Sequence, residues 1–174
     1  GKLINLTTKL NEQPLKGTIG IGHTRWATHG RPTEENAHPH TDCTGNLVLI
    51  HNGIIENYAI LKKQLAGRHV FKSETDTEVL VHLLEDEYRG NNLHAALQAV
   101  LAKVRGSYAL VVMSAQEPDK LVVARLGSPL VVGLGEGENF VASDVPAFLA
   151  STQRAVFIED GDTGVLTQQG LALY

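Results

Sequence analysis

An arginine and a threonine lie in a stretch whose residue types suit recognition of a carboxylate. Arg25 directly follows an alternating apolar segment, residues 18–24, and Thr28 comes shortly after it. A guanidinium presents a planar fork of donors that matches a carboxylate, and a nearby hydroxyl adds another donor. A structural ion pair fits the same spacing equally well. The spacing therefore indicates either a carboxylate site or an ion pair at Arg25.

An asparagine–glycine pair follows the short apolar run 47–50. Apolar residues at helical spacing come after Asn52 and Gly53 and continue to Gly67, which predicts a strand, a turn and a helix with the pair at the helix N-terminus. There an amide side chain beside a glycine N–H could donate to an oxyanion. Because Asn-Gly is also a common turn, the pair alone does not decide between these interpretations.

An acidic residue stands at the predicted start of a second helix. Thr75 and Glu78 have the spacing of a capping box, and Asp76 lies between them. The Asp76 carboxylate could cap this helix or could hold an ammonium group, and capping is the more common use.

Histidines are concentrated in one part of the sequence and raise the question of a metal site. Five of the eight are His23, His29, His38, His40 and His51. The segment contains no H-E-x-x-H motif, no cysteine pair and no aspartate-rich cluster. We therefore expect no metal and interpret these histidines as hydrogen-bonding groups of a long loop, with a histidine-cluster metallohydrolase as an alternative.

A nucleophile motif is not evident in the sequence. The single cysteine, Cys43, lies in the polar turn 41–45 and is interpreted as an incidental surface thiol. Neither G-x-S-x-G nor C-x-x-C occurs. The glycines at 133, 135 and 137 lie between two predicted strands with no helix after them, so they predict a turn rather than a dinucleotide loop. No cofactor is expected.

The elements that must position these residues fall into two groups. A weak helix is predicted over 3–10, ended by Pro14, then a strand over 18–24 and a long loop over 25–45. After the strand at 47–50, three helices are predicted, ending near Gly67, Gly90 and Gly106. The remaining elements are short strands at 108–113, 121–125, 130–134, 140–143, 155–158, 164–167 and 171–174, with a helical turn at 144–149. Helices and strands grouped in this way predict an α+β fold with mostly antiparallel sheets.

Composition limits the function classes. The 174 residues, 43% hydrophobic and 20% charged, fit a single domain spanning 1–174. The net charge is −4, without a block of like charge, which argues against a nucleic-acid partner. No apolar run is long enough for a membrane span or a signal peptide, and one cysteine suits a reducing compartment, so a cytoplasmic location is expected.

Several strings of residues together resemble one family. The chain is similar to the glutaminase domains of the glutamine–fructose-6-phosphate aminotransferases (glucosamine-6-phosphate synthases), within the class II glutamine amidotransferases. The resemblance extends over nearly the whole chain and rests on residues 23–30 (His-Thr-Arg-Trp-Ala-Thr-His-Gly), 36–40, 51–57, 73–79 (Ser-Glu-Thr-Asp-Thr-Glu-Val), 105–109, 128–135 and 140–144.

This resemblance implies an N-terminal nucleophile hydrolase fold, a four-layer sandwich of two antiparallel sheets between helical layers. It also implies roles for individual residues in the hydrolysis of L-glutamine to glutamate and ammonia. Arg25 and Thr28 would bind the glutamine carboxylate with help from the backbone of His29. The α-ammonium would be held by Asp76 and the Gly53 carbonyl. Asn52 and the Gly53 N–H would form the oxyanion hole, and Trp26 would lie on a loop that closes over glutamine.

The sequence departs from the family at the nucleophile. In the family this is a cysteine at the N-terminus of the mature chain, whose α-amino group acts as the base. The chain begins at Gly1, which aligns about 45 residues into the family sequence, and Cys43 matches no catalytic position. We therefore expect a domain that is incomplete at its N-terminus, lacks its first strand and is inactive in isolation.

The resemblance also implies partners, namely sugar isomerase domains that use the ammonia in amination of fructose 6-phosphate, and a homodimer of the full enzyme. A non-catalytic glutamine-binding or regulatory module remains an alternative, because it would keep Arg25 and Asp76 without a nucleophile.

Overall fold

The computed structural model describes residues 3–24 and 30–174. Its first element is helix α1 (Leu3–Glu12), which ends before Pro14 as the sequence predicts. The apolar residues of α1 do not enter a core, since Leu3, Ile4 and Leu6 are all more than half exposed. None of the described helices is both long and apolar enough to cross a lipid bilayer.

Residues 18–24 are not a strand, although their alternation predicts one. A strand is stabilised by a hydrogen-bonded neighbour, and no part of the described chain pairs with this segment. Ile19 and Ile21 still pack against the core between the two sheets. The alternation therefore reflects one-sided burial without strand pairing. Within the predicted loop 25–45, the described residues contain only the short strand β1 (His40–Thr41).

The larger sheet has six antiparallel strands. In chain order these are β1, β2 (Leu47–Ile55), β3 (Gly106–Ser114), β4 (Glu117–Leu126), β8 (Thr163–Thr167) and β9 (Gly170–Leu173), and they are neighbours in that same order. Strand β2 is five residues longer than the predicted segment 47–50, and it is paired with β3 along its whole length, from Leu47 opposite Ser114 to Ile55 opposite Gly106.

Three helices cover one face of this sheet: α2 (Tyr58–Leu65), α3 (Thr77–Glu87) and α4 (Leu93–Leu101). Leu80 and Leu84 of α3 are fully buried with Leu97 of α4 against Leu49 and Leu110 of the sheet. Helix α4 is capped by Asn92, whose side chain accepts a hydrogen bond of 3.0 Å from the Ala95 N–H. Burying these leucines supplies most of the driving force that fixes α3 on the sheet.

A second antiparallel sheet covers the opposite face. It consists of β5 (Val131–Leu134), β6 (Asn139–Ala142) and β7 (Ala155–Phe157), with β5 in the centre. Gly135 and Gly137 lie in the β5–β6 turn, whereas Gly133 lies within β5, opposite Phe140. The predicted helical turn at 144–149 is a 3₁₀ turn over Val145–Ala147 that the Asp144 side chain caps. Val111 and Val123 of the larger sheet pack here with Val132 and Ile158. The described elements thus form a helical layer and two stacked antiparallel sheets, which confirms the predicted α+β class.

Candidate functional site

A cavity of about 920 Å³ lies where β2, the start of α3 and the smaller sheet approach one another. Apolar side chains such as Ile50, Val111 and Leu130 line part of its wall. Its polar lining comes from several segments distant in sequence: His23, Thr24, His38, His51, Asn52, Thr75, Asp76, Thr77, Ser128 and Ser143. An apolar cavity with a few convergent polar groups is the usual form of a small-molecule site.

Asn52 and Gly53 lie in this cavity, but not at a helix N-terminus as the sequence predicted. Both residues lie inside β2, opposite Ala109 and Tyr108 of β3, and helix α2 begins only at Tyr58. The prediction was wrong because apolar spacing after the pair was attributed entirely to a helix. The helix-dipole argument for anion binding at Asn52 therefore does not apply.

Gly53 is required by the close approach of two strands. Its φ is +131°, and a Cβ built on it would lie 2.2 Å from the Ser107 carbonyl oxygen. A side chain at this position would be strained by the backbone conformation and would collide with β3. Strand β2 can therefore continue past Asn52 only with glycine at position 53.

The Asn52 side chain is held by a histidine. Its Oδ1 lies 2.7 Å from Nε2 of His23. An amide carries one acceptor and two N–H donors, so a bond that engages the oxygen leaves both donors for a ligand. The sequence groups His23 with the clustered histidines, interpreted as hydrogen-bonding groups of a loop, and does not predict Asn52 as its partner. Its contact with Asn52 depends on the path of residues 18–24, which spacing could not predict.

Asp76 is buried at the junction of α3 and β2. It is 3% exposed, and its Oδ2 accepts a hydrogen bond of 2.8 Å from the Ile55 N–H. It occupies the N-cap position of α3, but its side chain makes no capping hydrogen bond. Capping is therefore not its role, and this alternative was wrong. The carboxylate instead joins the α3 start to β2, two residues beyond Gly53.

The predicted capping box is only half formed. The Thr75 hydroxyl is 3.4 Å from the Glu78 backbone nitrogen, but the Glu78 carboxylate accepts from the backbone N–H groups of Lys72 and Ser73, each at 2.7 Å. Although burial opposes its ionisation, the neighbouring His82 side chain and these backbone donors lower the pKa of Glu78 to about 2. The buried, ionised Glu78 fixes the turn that leads into Asp76.

The described histidines of the predicted cluster contact protein atoms. Nε2 of His40 lies 2.9 Å from the Thr75 hydroxyl, and Nδ1 of His51 lies 2.9 Å from the Thr77 hydroxyl. The His38 ring stacks on His23, with ring centroids 4.4 Å apart. These contacts agree with the interpretation of the histidines as hydrogen-bonding groups, although their partners are mainly side chains rather than the loop backbone.

Four predicted site residues, Arg25, Trp26, Thr28 and His29, lie outside the described residues. The chain after them is anchored by Asn36, whose importance the sequence did not indicate. Asn36 is 3% exposed, donates to the Arg31 carbonyl at 3.0 Å and accepts from the Glu74 N–H at 2.9 Å.

Cys43 is not among the residues that line the cavity. Its Sγ lies 3.7 Å from ring nitrogens of both His69 and His82. Desolvation, with further contributions from Glu85 and Asp42, raises the pKa of the Cys43 thiol, although the residue as a whole is exposed. A raised thiol pKa disfavours the thiolate that a nucleophile requires.

A family model and the sequences of curated proteins indicate the same family for this chain. Residues 11–167 match the model of the glutamine amidotransferase domain. The chain is 56% identical to the glutamine–fructose-6-phosphate aminotransferase of Pyrococcus horikoshii, over 97% of this chain and 28% of that protein. With the enzyme of the same name from Thermus thermophilus the identity is 58%, over 99% of this chain and 28% of the relative. The chain thus spans slightly more than a quarter of the length of these curated relatives.

Solved structures agree with this family. The glutamine phosphoribosylpyrophosphate amidotransferase of Bacillus subtilis superposes with a TM-score of 0.71 and 28% identity, over 87% of this chain and 33% of that one. A protein described as a glutamine aminotransferase class-II domain protein, from Silicibacter pomeroyi, shares the fold at a TM-score of 0.62 and 18% identity, over 79% of this chain and 70% of that one. The chain belongs to the glutamine amidotransferase family and has the antiparallel two-sheet fold of its N-terminal nucleophile members.

Proposed function

We propose that the cavity beside β2 binds L-glutamine and that Asn52 and Gly53 stabilise the oxyanion formed when its side-chain amide is attacked. The observation that carries this proposal is the presence in one cavity of an amide donor, a strand glycine and a buried carboxylate, Asp76. These groups complement a substrate with an amide to be hydrolysed at one end and an α-ammonium at the other.

Asp76 supplies the negative charge for the α-ammonium. One of its oxygens is engaged by the Ile55 N–H, which fixes the orientation of the carboxylate, and the other oxygen is available to a ligand. A charge-assisted hydrogen bond of this kind contributes about 1.5–3 kcal/mol. The Gly53 carbonyl is the second ammonium acceptor.

Arg25, Thr28 and the backbone of His29 bind the glutamine α-carboxylate in this proposal, and Trp26 closes over the substrate. Support comes from the position of the flanking residues, since His23 and Thr24 line the cavity and His23 contacts Asn52. The oxyanion donors lower the barrier to amide attack, and loss of one such donor typically costs about 3 kcal/mol.

The product ammonia is delivered to a synthase region that aminates fructose 6-phosphate. This part of the proposal is supported by the 56–58% identity with aminotransferases of that name, of which the chain spans about 28%. The sugar isomerase domains are then the functional partner, the full enzyme is a homodimer, and the location is cytoplasmic.

The chain's own thiol is not the nucleophile in this proposal. Cys43 is the single cysteine of the sequence and does not line the cavity. A non-catalytic glutamine-binding module is the second candidate function, because Asn52, Gly53 and Asp76 line a cavity that can bind glutamine without the Cys43 thiol. Hydrolysis requires a thiol from the N-terminal position that the family uses.

The experiment is an assay of glutamate release from L-glutamine. The chain extended by a family-like segment with an exposed N-terminal cysteine should hydrolyse glutamine, and its cysteine-to-alanine form should not. Cys43→Ser in the extended chain should leave the rate unchanged, whereas Asn52→Ala should lower kcat by about 100-fold. Glutamate release by the unextended chain that is abolished by Cys43→Ser would contradict the assignment.

A further inference from the structure

Four potential metal ligands converge beside α3, and none of them lines the cavity described above. They are Cys43 in the turn between β1 and β2, His69 after α2, and His82 and Glu85 on α3. One ligand atom from each residue lies within 4.8 Å of the other three. Histidine and glutamate at positions i and i+3 of one helix turn present their side chains to the same side.

The distances within this group match those around a tetrahedral zinc ion. Sγ of Cys43 lies 3.7 Å from Nδ1 of both His69 and His82, and Oε2 of Glu85 lies 3.0 Å and 3.1 Å from the same two nitrogens. Zinc bonds of about 2.3 Å to sulfur and about 2.0 Å to nitrogen or oxygen place tetrahedral ligands about 3.5 Å (S···N) and about 3.3 Å (N···O) apart. The observed distances differ from this geometry by no more than about 0.3 Å, which small side-chain rotations accommodate.

Each of the two histidines has a carboxylate beside Nε2, the ring nitrogen that faces away from the four-residue group. Each presents Nδ1 to the group, while Nε2 of His69 lies 3.0 Å from Oδ1 of Asp86 and Nε2 of His82 lies 3.8 Å from Oε1 of Glu78. Asp86 is itself held by Arg68 at 2.7 Å. This carboxylate–histidine arrangement is the one that fixes the ring orientation of metal-bound histidines.

His82 provides a separate observation. The residue is 1% exposed, and its Nε2 makes no hydrogen bond within residues 3–24 and 30–174. Buried imidazole nitrogens are normally satisfied by a hydrogen bond. With zinc on Nδ1, the proton of the neutral ring resides on Nε2, and a small shift would bring it to the Glu78 carboxylate.

We propose that Cys43, His69, His82 and Glu85 bind one structural zinc ion. Four protein ligands complete a tetrahedral shell and leave no position for a reacting water, so the site is structural rather than catalytic. The ion would join the β1–β2 turn and the segment after α2 to α3, the helix that begins beside Asp76. This site does not involve the histidines at 23, 38, 40 and 51, and it does not depend on the proposed glutaminase function.

The test is titration of the metal-free protein with zinc in competition with a chromophoric chelator. We expect one zinc per chain and a rise in melting temperature, and cobalt should give the visible spectrum of a tetrahedral ion with a thiolate ligand. Asp86→Asn should weaken zinc affinity about 10- to 100-fold, and Cys43→Ser should weaken it further because a ligand is lost.

Cys43→Ser is the informative variant, since position 43 is exposed and serine keeps the backbone N–H that donates to Glu85. His94→Gln is the matched control, because His94 lies on α4, contacts Thr163 and is not one of the four proposed ligands. This variant should bind zinc like the parent. Failure of the parent to bind at micromolar zinc would overturn the proposal. Binding that is equally strong in Cys43→Ser would also overturn it, since the ion would then be held elsewhere.

Discussion

Asp76→Asn separates substrate recognition from folding at the candidate site. The asparagine oxygen can still accept the hydrogen bond from the Ile55 N–H, so the junction of α3 with β2 is retained. The negative charge is lost, and the amide NH₂ then faces the glutamine ammonium. Loss of one charge-assisted hydrogen bond costs about 1.5–3 kcal/mol, which corresponds to a roughly 10- to 150-fold rise in Kd for glutamine.

Stability should respond differently to two substitutions at this position. In Asp76→Asn the free energy of unfolding should change by less than about 1 kcal/mol, since the buried donor keeps its acceptor. In Asp76→Ala the N–H of Ile55, a fully buried residue, loses its partner, and unfolding should become easier by about 1–3 kcal/mol. Urea denaturation of both variants measures this difference.

Isothermal titration calorimetry with L-glutamine measures the predicted rise in Kd. Asp42→Asn is the matched control, because Asp42 is also buried and also accepts from a backbone N–H, that of Leu47 at 2.9 Å, but does not line the cavity. The control should bind glutamine like the parent. Equal affinities of Asp76→Asn and the parent would refute the assignment of Asp76 to the ammonium.

Three further outcomes follow from the fold. Gly53→Ala should lower the free energy of unfolding by at least about 1 kcal/mol more than Gly45→Ala, as measured by circular-dichroism melts. Both glycines have positive φ, but of the two only Gly53 has backbone atoms where a Cβ would lie. Because the pKa of Glu78 is depressed, its contribution to stability is present above pH 4.5 and is lost as the pH falls towards 2. Glu78→Gln should therefore lower the free energy of unfolding by about 1–3 kcal/mol at neutral pH and by much less near pH 2, measured by urea unfolding at both pH values. Asn92→Ala should cost about 1 kcal/mol through loss of the α4 cap, and an unchanged urea midpoint would contradict that role.

The sequence predicts most elements because their apolar periodicity corresponds to burial. Helix α3 and the later strands follow the predicted spans closely, since Leu80 and Leu84 pack into one continuous core with the sheet. Helix α4 ends at Leu101, five residues before the predicted end at Gly106, which instead begins β3. The prediction of a strand over 18–24 is wrong because alternation indicates burial on one side but does not provide a hydrogen-bonded neighbour. The predicted end of β2 is wrong because pairing with β3 extends the strand beyond Asn52.

The candidate site is predictable in its residue types and less so in its geometry. Asn52, Gly53 and Asp76 line one cavity, and the roles that the family resemblance implies for them stay predictions. The role of Asp76 as a link to Ile55, and that of His23 as the partner of Asn52, depend on tertiary contacts between segments far apart in sequence. The convergence of Cys43 with His69 and His82 is of the same kind, because no local spacing connects these positions.

Titration of ¹⁵N-labelled protein with L-glutamine, followed through the backbone amide resonances, locates bound glutamine on the chain. The largest shifts should occur at the N–H groups of Gly53 and Ile55, since one is a proposed oxyanion donor and the other is bonded to Asp76. Saturable shifts at these two residues, absent with D-glutamine, are the expected result. Shifts confined to the region of Cys43 and His82, or no saturable shift at Gly53, would contradict glutamine binding in this cavity.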